Sequence, residues 1–341
     1  MARVHIIILN WNGLKDTLEC LESVFRLDYD DFAVIVVDNC SSDDSVATIR
    51  QKFPQVILLE NNSNLGFTGG NNVGIKHAMA LGTDYVWLLN NDTVVEVDTL
   101  AKLVAAGEQS PQTGLVSPVL HYYDNPDKVQ FMGAYADLSN FNVNIVKDFS
   151  ELDIEHVRQN LILWGTALLI KKSVIETVGC LSDKYFAYVE DCDYSLRVLR
   201  HHFRTMISLD ARILHKGSQT TGKRSPFQIY LRTRNMYFLW MDNGAGWRKI
   251  LVPGYFIAMV IYNAKVLADE GNEKAYDACL NGFWAALKQK GGGYDPSVAI
   301  PPWLKAVFTF LVSWHPHFWV DFFKCNVGGM VKRLLPSPNG W

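Results

Sequence analysis

The chain has 341 residues, 49% of them apolar and 20% charged, with a net charge of −3. That suits one large folded domain, or a domain with an appendage, and it excludes the basic footprint of a nucleic-acid binder. The six cysteines are scattered with no C-x-x-C pair, which excludes a zinc knuckle or thiol redox motif and leaves reduced thiols of a cytosolic protein as the expected state.

Arg3 leads straight into Val4-His5-Ile6-Ile7-Ile8-Leu9, a β-rich run, so no secretory leader is expected. Asn10-Trp11-Asn12-Gly13 ends that strand as a turn. Leu14, Leu18, Leu21 and Phe25 fall at helical spacing. Phe32 to Val37 is a second strand, followed by a polar turn over Asp38 to Ser42 and a helix that stops before Pro54. Val56 to Leu59 is a third strand, Gly69 to Leu81 a helix, and Tyr85 to Leu89 a fourth strand. These strands are apolar throughout, as in parallel strands covered on both faces. Their β-α-β order predicts right-handed crossovers and a largely parallel sheet.

Residues 121 to 160 alternate only weakly. Leu161 to Ile170 reads as a core strand broken at Gly165-Thr166. Short helices are predicted over Lys172 to Val178, Asp191 to Phe203 and Gln228 to Trp240, with a strand over Thr205 to Ile213 leading to His215. Beyond about residue 245 the chain turns apolar and aromatic. Ile250 to Ala264 and Ala306 to Val320 are shorter than the ~20 residues that span a bilayer. Basic residues flank them (Arg248, Lys249, Lys265, Lys305, Lys324, Lys332, Arg333). Two readings stay open for this region: membrane-surface helices, or a helical bundle or dimer contact.

Acidic residues stand at the ends of the strands, where open α/β sheets bind ligands. Asp38-Asn39 follows the second strand and Asn90-Asn91-Asp92 the fourth. A carboxylate at the second place suits a divalent metal that also binds phosphate oxygens, and a polar helix-capping turn is the alternative. The loop Asn61 to Asn72 offers a helix start to an anion, yet it is neither the dinucleotide fingerprint nor the P-loop. Glu190-Asp191 suits a general base at a helix start, or acidic capping. His215 suits a metal or phosphate contact, or a structural role. Arg232, Arg234 and Asn235 share a predicted helix that suits diphosphate charge, or a solvated face.

In this order the elements resemble the family 2 inverting glycosyltransferases of the GT-A fold, over residues 4 to about 240. The resemblance is carried by Ile7-Ile8-Leu9-Asn10-Trp11-Asn12, Val36-Val37-Asp38-Asn39-Cys40-Ser41-Ser42-Asp43, Asn61-Asn62-Ser63-Asn64-Leu65-Gly66-Phe67, Leu88-Leu89-Asn90-Asn91-Asp92 and Glu190-Asp191-Cys192-Asp193. The N-x-G-F and E-D-x-D forms look most like the bacterial rhamnosyltransferase branch. The resemblance implies an α/β GT-A fold with a C-terminal helical extension. Residues 1–120 would form the nucleotide-sugar half, 121–245 the acceptor and base half, and 246–341 a helical, aromatic-rich region. It implies Asp38 on the nucleobase, with Asn10, Asn12, Asn64, Gly66, Asn90 and Asn91 around the donor. Asp92 and His215 would hold Mg²⁺ or Mn²⁺, and Asp191 would be the base. Glu190, Trp164, Gly165, Arg232 and Arg234 would support acceptor and diphosphate. Asn90 stands where the family's D-x-D has its first carboxylate.

The implied activity is transfer of a sugar, such as L-rhamnose, from a dTDP- or UDP-linked donor to a bacterial glycan or lipid-linked acceptor. The enzyme would work in the cytoplasm or against the inner membrane, as a monomer or homodimer. Competing classes are a sugar nucleotidyltransferase, which should carry an early G-x-G-x-R loop where this chain has Asn10-Trp11-Asn12-Gly13, and an inactive nucleotide- or glycan-binding scaffold.

Overall fold

The structure is a computed structural model that describes residues 1–138, 141–217, 224–244 and 246–313. The expected features at Ser139, Asn140, Ser218 to Lys223, Ala245 and 314–341, including His315, Pro316, His317, Lys324, Lys332 and Arg333, lie outside the described residues. The chain divides into two compact units. Unit 1 holds Met1–Tyr135 and Ile145–Thr220, and unit 2 holds Ala136–Asn144 and Thr221–Trp341.

Unit 1 begins with β1 (Val4–Asn10), α1 (Leu14–Val24), β2 (Phe32–Asp38), α2 (Ser45–Lys52), β3 (Ile57–Glu60), α3 (Gly66–Ala80) and β4 (Tyr85–Asn90). It continues with β5 (Thr93–Val95), α4 (Thr99–Glu108), β6 (Thr113–Tyr122), β7 (Val129–Phe131) and β8 (Ala134–Asp137), after which β9 (Asn142–Ile145) closes the passage through unit 2. Then come α5 (Glu155–Gln159), β10 (Leu161–Ile162), β11 (Ala167–Lys171), α6 (Lys172–Val178), α7 (Glu190–Arg200) and β12 (Arg204–His215). Among the described residues the main sheet has nine strands, ordered β3-β2-β1-β4-β11-β6-β12-β5 with β7 beside β6.

The first four strands of that order are parallel, as the unbroken apolar runs predict. Ile6, Ile7, Ile8, Val36, Val37, Val86 and Trp87 are all buried. The second half is mixed. β11 runs against both β4 and β6, β12 runs with β6, and β5 runs against β12. Most strands still point one way, which is the mostly parallel sheet with flanking helices expected of the fold.

The predicted break at Gly165-Thr166 is a division between two strands. β10 pairs with β8, whereas β11 crosses into the main sheet beside β4. Helix α3 starts three residues before the expected Gly69, because Asn64 Oδ1 accepts the Gly66 N–H at 2.8 Å and closes an Asx-type turn. Gly66 has φ +73°, and a Cβ there would lie 2.6 Å from the Phe186 ring and collide with the Phe186 carbonyl oxygen. Gly66→Ala is therefore expected to destabilise unit 1 by about 2–4 kcal/mol, from the left-handed backbone plus overpacking. Urea denaturation checks this: the midpoint should fall with its slope unchanged, and an unmoved midpoint would refute the collision.

Unit 2 is helical: α8 (Pro226–Asn243), α9 (Val252–Asp269), α10 (Glu273–Leu287) and α11 (Pro302–Ser313). Ser225 caps α8 and Asn272 caps α10 with their side-chain oxygens, at 3.2 Å each. The apolar stretch is longer than its charge-free core suggested. Helical backbone over Gly246–Asp269, 24 residues containing an 18-residue window with a mean hydropathy of 1.7, is long and apolar enough to cross a membrane by length and composition. One face of it is nevertheless committed to unit 2. Phe256 stacks between Tyr237 of α8 at 4.7 Å and Phe283 of α10 at 5.4 Å, and Phe283 meets Phe308 of α11 at 4.9 Å.

Candidate active site at the strand ends

All the carboxylates singled out in the sequence lie in unit 1. The parallel register brings Asn10 level with Asp38 and Leu9 level with Asn90, so three strands end together.

A hydrogen-bonded chain links these ends. Asn91 Nδ2 donates to Thr17 Oγ1 at 2.9 Å, and Thr17 Oγ1 donates to Asn10 Oδ1 at 2.8 Å. Asn10 Nδ2 donates to Asp38 Oδ1 at 2.8 Å and to Ser41 Oγ at 3.1 Å. Asp38 also accepts from the Ser41 hydroxyl and, through Oδ2, from the Ser41 N–H at 2.8 Å. Asn12 continues the chain on the exposed side. Its N–H donates to Ser41 Oγ at 2.9 Å and its Oδ1 accepts the Ser42 N–H at 2.7 Å. Asn10 is completely buried, with both side-chain ends occupied. It therefore stands behind Asp38 and positions it, where the sequence reading had it lining the nucleoside pocket. Thr17 and Ser41 were not singled out. The signal for Thr17 was a polar residue among Leu14, Leu18 and Leu21 on one helix face.

Asn64 and Gly66 shape the loop. Asn39 Nδ2 donates to Asn64 Oδ1 at 2.9 Å and to the Gly66 carbonyl at 3.0 Å, while its Oδ1 accepts from Asn61 and the Leu65 N–H. The Thr68 N–H goes to the Phe186 carbonyl at 3.2 Å. The N–H groups of Leu65, Gly66 and Thr68 are thus spent on protein oxygens, and the helix start offers an anion less than the sequence implied.

The second cluster joins β5 and β12. Thr93 pairs with His215, and the Lys216 N–H donates to the Asp92 carbonyl at 3.0 Å. This ladder sets His215 Nε2 3.3 Å from Asp92 Oδ1, with both side chains mostly buried. His215 Nδ1 lies 2.6 Å from Gln130 Oε1, which can only accept, so Nδ1 carries the proton. Nε2 then faces a carboxylate oxygen that is buried without a hydrogen-bond partner. A divalent cation bound by both would take the place of the proton between them. Asp92 and His215 therefore fit a divalent ion, with Gln130 fixing the tautomer as outer partners of metal-bound histidines do. No group of three or more His, Cys, Asp or Glu among the described residues could hold one, so remaining ligands would have to come from elsewhere, as phosphates do for Mg²⁺. Gln130 gave no sequence signal, because it reaches His215 only through the pairing of β7 with β6 and of β6 with β12.

Lys216 braces the same corner. Its Nζ lies 2.6 Å from both Asp16 and Glu19 of α1, and Tyr123 donates to Glu19 at 2.6 Å. These bonds hold the Glu19 carboxyl below its usual range.

The third cluster contains Asp191. Its Oδ2 accepts the Gly165 N–H at 3.1 Å and its Oδ1 the Cys192 N–H at 2.8 Å. Burial raises the Asp191 carboxyl, and these bonds oppose the rise. Glu190 is pushed well above its usual value by burial and then by the Asp191 charge. Its Oε2 is buried without a hydrogen-bond partner, whereas both Asp191 oxygens accept backbone N–H groups, which favours the charge on Asp191. Just before them Tyr188 and Val189 both have left-handed backbone, φ 67° and 74°. That conformation is costly for a β-branched residue, and such strain gathers at functional sites. Trp164 stacks on Phe131, centroids 3.7 Å apart.

Gly165 and Thr166 tie the second and third clusters together. Gly165 holds Asp191, and the Thr166 carbonyl accepts the Asn90 N–H at 2.9 Å. The acid at the start of α7 is thereby fixed beside the tip of β4. Arg232 and Arg234 lie on α8 in unit 2. Arg234 is fully buried there, donating to Asn235 Oδ1 at 2.9 Å and packing on the Tyr230 and Phe238 rings. It is therefore no part of a solvated helix face.

Comparison with known proteins decides the family. The sequence profile of glycosyl transferase family 2 matches residues 5–179. The chain belongs to glycosyl transferase family 2. Its relatives include the low-salt glycan biosynthesis hexosyltransferase Agl10 of Haloferax volcanii, 22% identical over 77% of this chain and 86% of that protein. The N-acetylglucosaminyl-diphospho-decaprenol L-rhamnosyltransferase of Mycobacterium tuberculosis is 24% identical over 63% of this chain and 76% of that protein. The dTDP-rhamnosyl transferase RfbF of Shigella flexneri is 21% identical over 81% of this chain and 92% of that protein. Among solved structures, the mannosyltransferase PcManGT of Pyrobaculum calidifontis, in complex with GDP-Man and Mn²⁺, superposes with a TM-score of 0.54 at 18% identity, covering 98% of this chain and 85% of that one. TarS of S. aureus with UDP-GlcNAc gives 0.56 at 15% identity over 83% and 81%. These structures share the GT-A fold. The family 2 chain is a glycosyltransferase acting on nucleotide sugars.

Proposed function

We propose that this enzyme is an inverting hexosyltransferase that moves L-rhamnose from a dTDP-linked donor to a hydroxyl of a lipid-linked cell-envelope glycan at the cytoplasmic membrane surface. The observation that carries the reaction type is the Gly165-Thr166 bridge, which sets Asp191 beside the Asn90-Asp92 tip. The sugar and acceptor rest on the two rhamnosyltransferase relatives, one of which acts on a polyprenyl diphosphate-linked sugar by its name.

Asp38 receives the nucleobase N–H on Oδ2, while Asn10 and Ser41 hold its carboxylate in place. Asn12, on the exposed side of the Ser41-Ser42 turn, lines the nucleoside. Asn90 and Asn91 meet the diphosphate. Asp92 and His215 would hold Mg²⁺ or Mn²⁺, whose positive charge would stabilise the leaving diphosphate. Asp191 takes the proton of the acceptor hydroxyl as its oxygen attacks the anomeric carbon. The new C–O bond forms on one face while the bond to the diphosphate oxygen breaks on the other, its electron pair leaving with the nucleotide. One displacement inverts the centre, with no covalent sugar on the protein.

Donor choice is tested by titrating the chain with dTDP-rhamnose, UDP-GlcNAc and GDP-mannose in the presence of Mn²⁺. We expect dTDP-rhamnose to bind at least about tenfold more tightly, a difference of ~1.4 kcal/mol. Preference for another donor would overturn the rhamnose assignment, and no binding of any donor would overturn the Asp38 pocket.

A further inference from the structure

Sugar transfer leaves one surface unused, the outer side of α9 and α11 in unit 2. The inner side of α9 is committed, with Phe256, Val260, Ile261, Ala264 and Leu267 buried. Ile250, just before α9, is nevertheless 78% exposed, and Ile257 in the second turn of α9 is 40% exposed. Trp247 is 74% exposed just before α9, and Trp303 is 66% exposed in the first turn of α11, with Val307 one turn on. Exposed large apolar side chains gathered on packed neighbouring helices mark an interaction surface.

Charge narrows the partner. Residues 246–268 carry Arg248, Lys249 and Lys265 and no acidic residue. Lys265 is paired with Asp269, and Lys249 donates to the Asp242 carbonyl at 3.2 Å without meeting a carboxylate there; Arg248 and Lys249 stand in sequence between the exposed Trp247 and Ile250. Tryptophan beside cations, with aliphatic side chains one or two turns on, suits the boundary between headgroups and acyl chains. A second copy suits it poorly: a two-fold contact centred here would set Arg248 and Lys249 against their own copies. The ring contacts of Phe256 and Phe283 keep α9 on its bundle, so the helix lies along a surface rather than crossing it.

We infer that the face bearing Trp247, Arg248, Lys249, Ile250, Ile257 and Trp303 docks on an anionic lipid surface, with α9 lying in the interface. This deepens the reading of a lipid-borne acceptor, on which its purpose rests. The docking itself needs neither donor nor acceptor.

The test is co-sedimentation of the full chain with sucrose-loaded vesicles of phosphatidylcholine alone, or with a third of the lipid replaced by phosphatidylglycerol. Binding should rise with the anionic lipid and weaken with added salt. The double variant Trp247→Ser/Ile250→Ser should bind about tenfold more weakly, and Arg248→Gln/Lys249→Gln should lose the preference for phosphatidylglycerol. Both should keep the parent's melting temperature. Vesicle binding that is absent, or unchanged in both variants, overturns the inference. A concentration-dependent dimer abolished by Trp247→Ser/Ile250→Ser, without vesicle binding, assigns the face to a second copy and also overturns it. Donor affinity measured on the same samples separates this result from the proposed chemistry: its loss would count against the glycosyltransferase site and leave the vesicle result standing.

Discussion

Asp191→Asn is expected to bind donor as the parent does and to transfer sugar about 10²–10⁴-fold more slowly, the usual worth of a positioned general base. The amide keeps the shape and can still accept the Gly165 N–H, which lies 3.1 Å from Oδ2 in the parent. It loses the ability to take a proton and, because its NH₂ cannot accept, the bond from the Cys192 N–H. The pH profile provides a second readout. The base works ionised, and burial lifts its carboxyl above the ordinary 3.8. The parent's kcat/KM should therefore fall, as pH drops, through a value above that figure, and the variant should lack this limb. The same shift has a stability consequence. A carboxyl raised in the fold binds its proton more tightly there than in the unfolded chain, so it costs stability once pH exceeds its folded value. The stability lost by Asp191→Asn through the broken Cys192 bond should therefore be smaller above neutral pH than in acid. Near-parental transfer would remove Asp191 from the role of base.

Asp92→Ala is expected to cost about 10²–10³ in kcat, or ~3–4 kcal/mol, the scale of one lost electrostatic contact to charge developing in the transition state. Its cause can be read apart from turnover. In the parent, Asp92 Oδ1 and His215 Nε2 face each other at 3.3 Å, with the imidazole tautomer fixed by Gln130. Without the carboxylate the pair has no charge to offer. Mn²⁺ binding followed by electron paramagnetic resonance should weaken in step with the rate. Asn90 supplies no second carboxylate to compensate. Unchanged Mn²⁺ affinity alongside slow transfer would assign Asp92 to direct contact with the diphosphate instead.

The parallel half of the sheet was legible because Val4 to Leu9, Phe32 to Val37 and Tyr85 to Leu89 are apolar runs with helical patterns between them. The mixed half was not. The reversal of β11 and the pairing of β12 with β6 and β5 are long-range choices that leave no local period. For that reason local pattern marked the acids but not their company. Asp92 and His215, far apart in sequence, were paired only by the family resemblance; in the fold they meet through the β5–β12 ladder, and Gln130, which was not expected, joins them from β7. Asn10 was placed at the nucleoside by the family resemblance; its burial, with Thr17 and Ser41 claiming both ends of its amide, was not legible in the sequence. The left-handed Val189 runs against its own residue preference, so nothing short of the fold could have placed it.

The shared ending of β2, β1 and β4 makes the sheet a calliper. Neighbouring strands lie about 4.8 Å apart, so Asp38 and Asn90, one strand to either side of Asn10, are separated by roughly 10 Å. The relay from Asn91 through Thr17 and Asn10 to Asp38 keeps the jaws from spreading. Under the proposed roles this interval gauges a donor from its base to its charged linkage before the sugar is read. Donors that share the interval pass this gauge alike, and discrimination among their sugars falls to side chains beyond it.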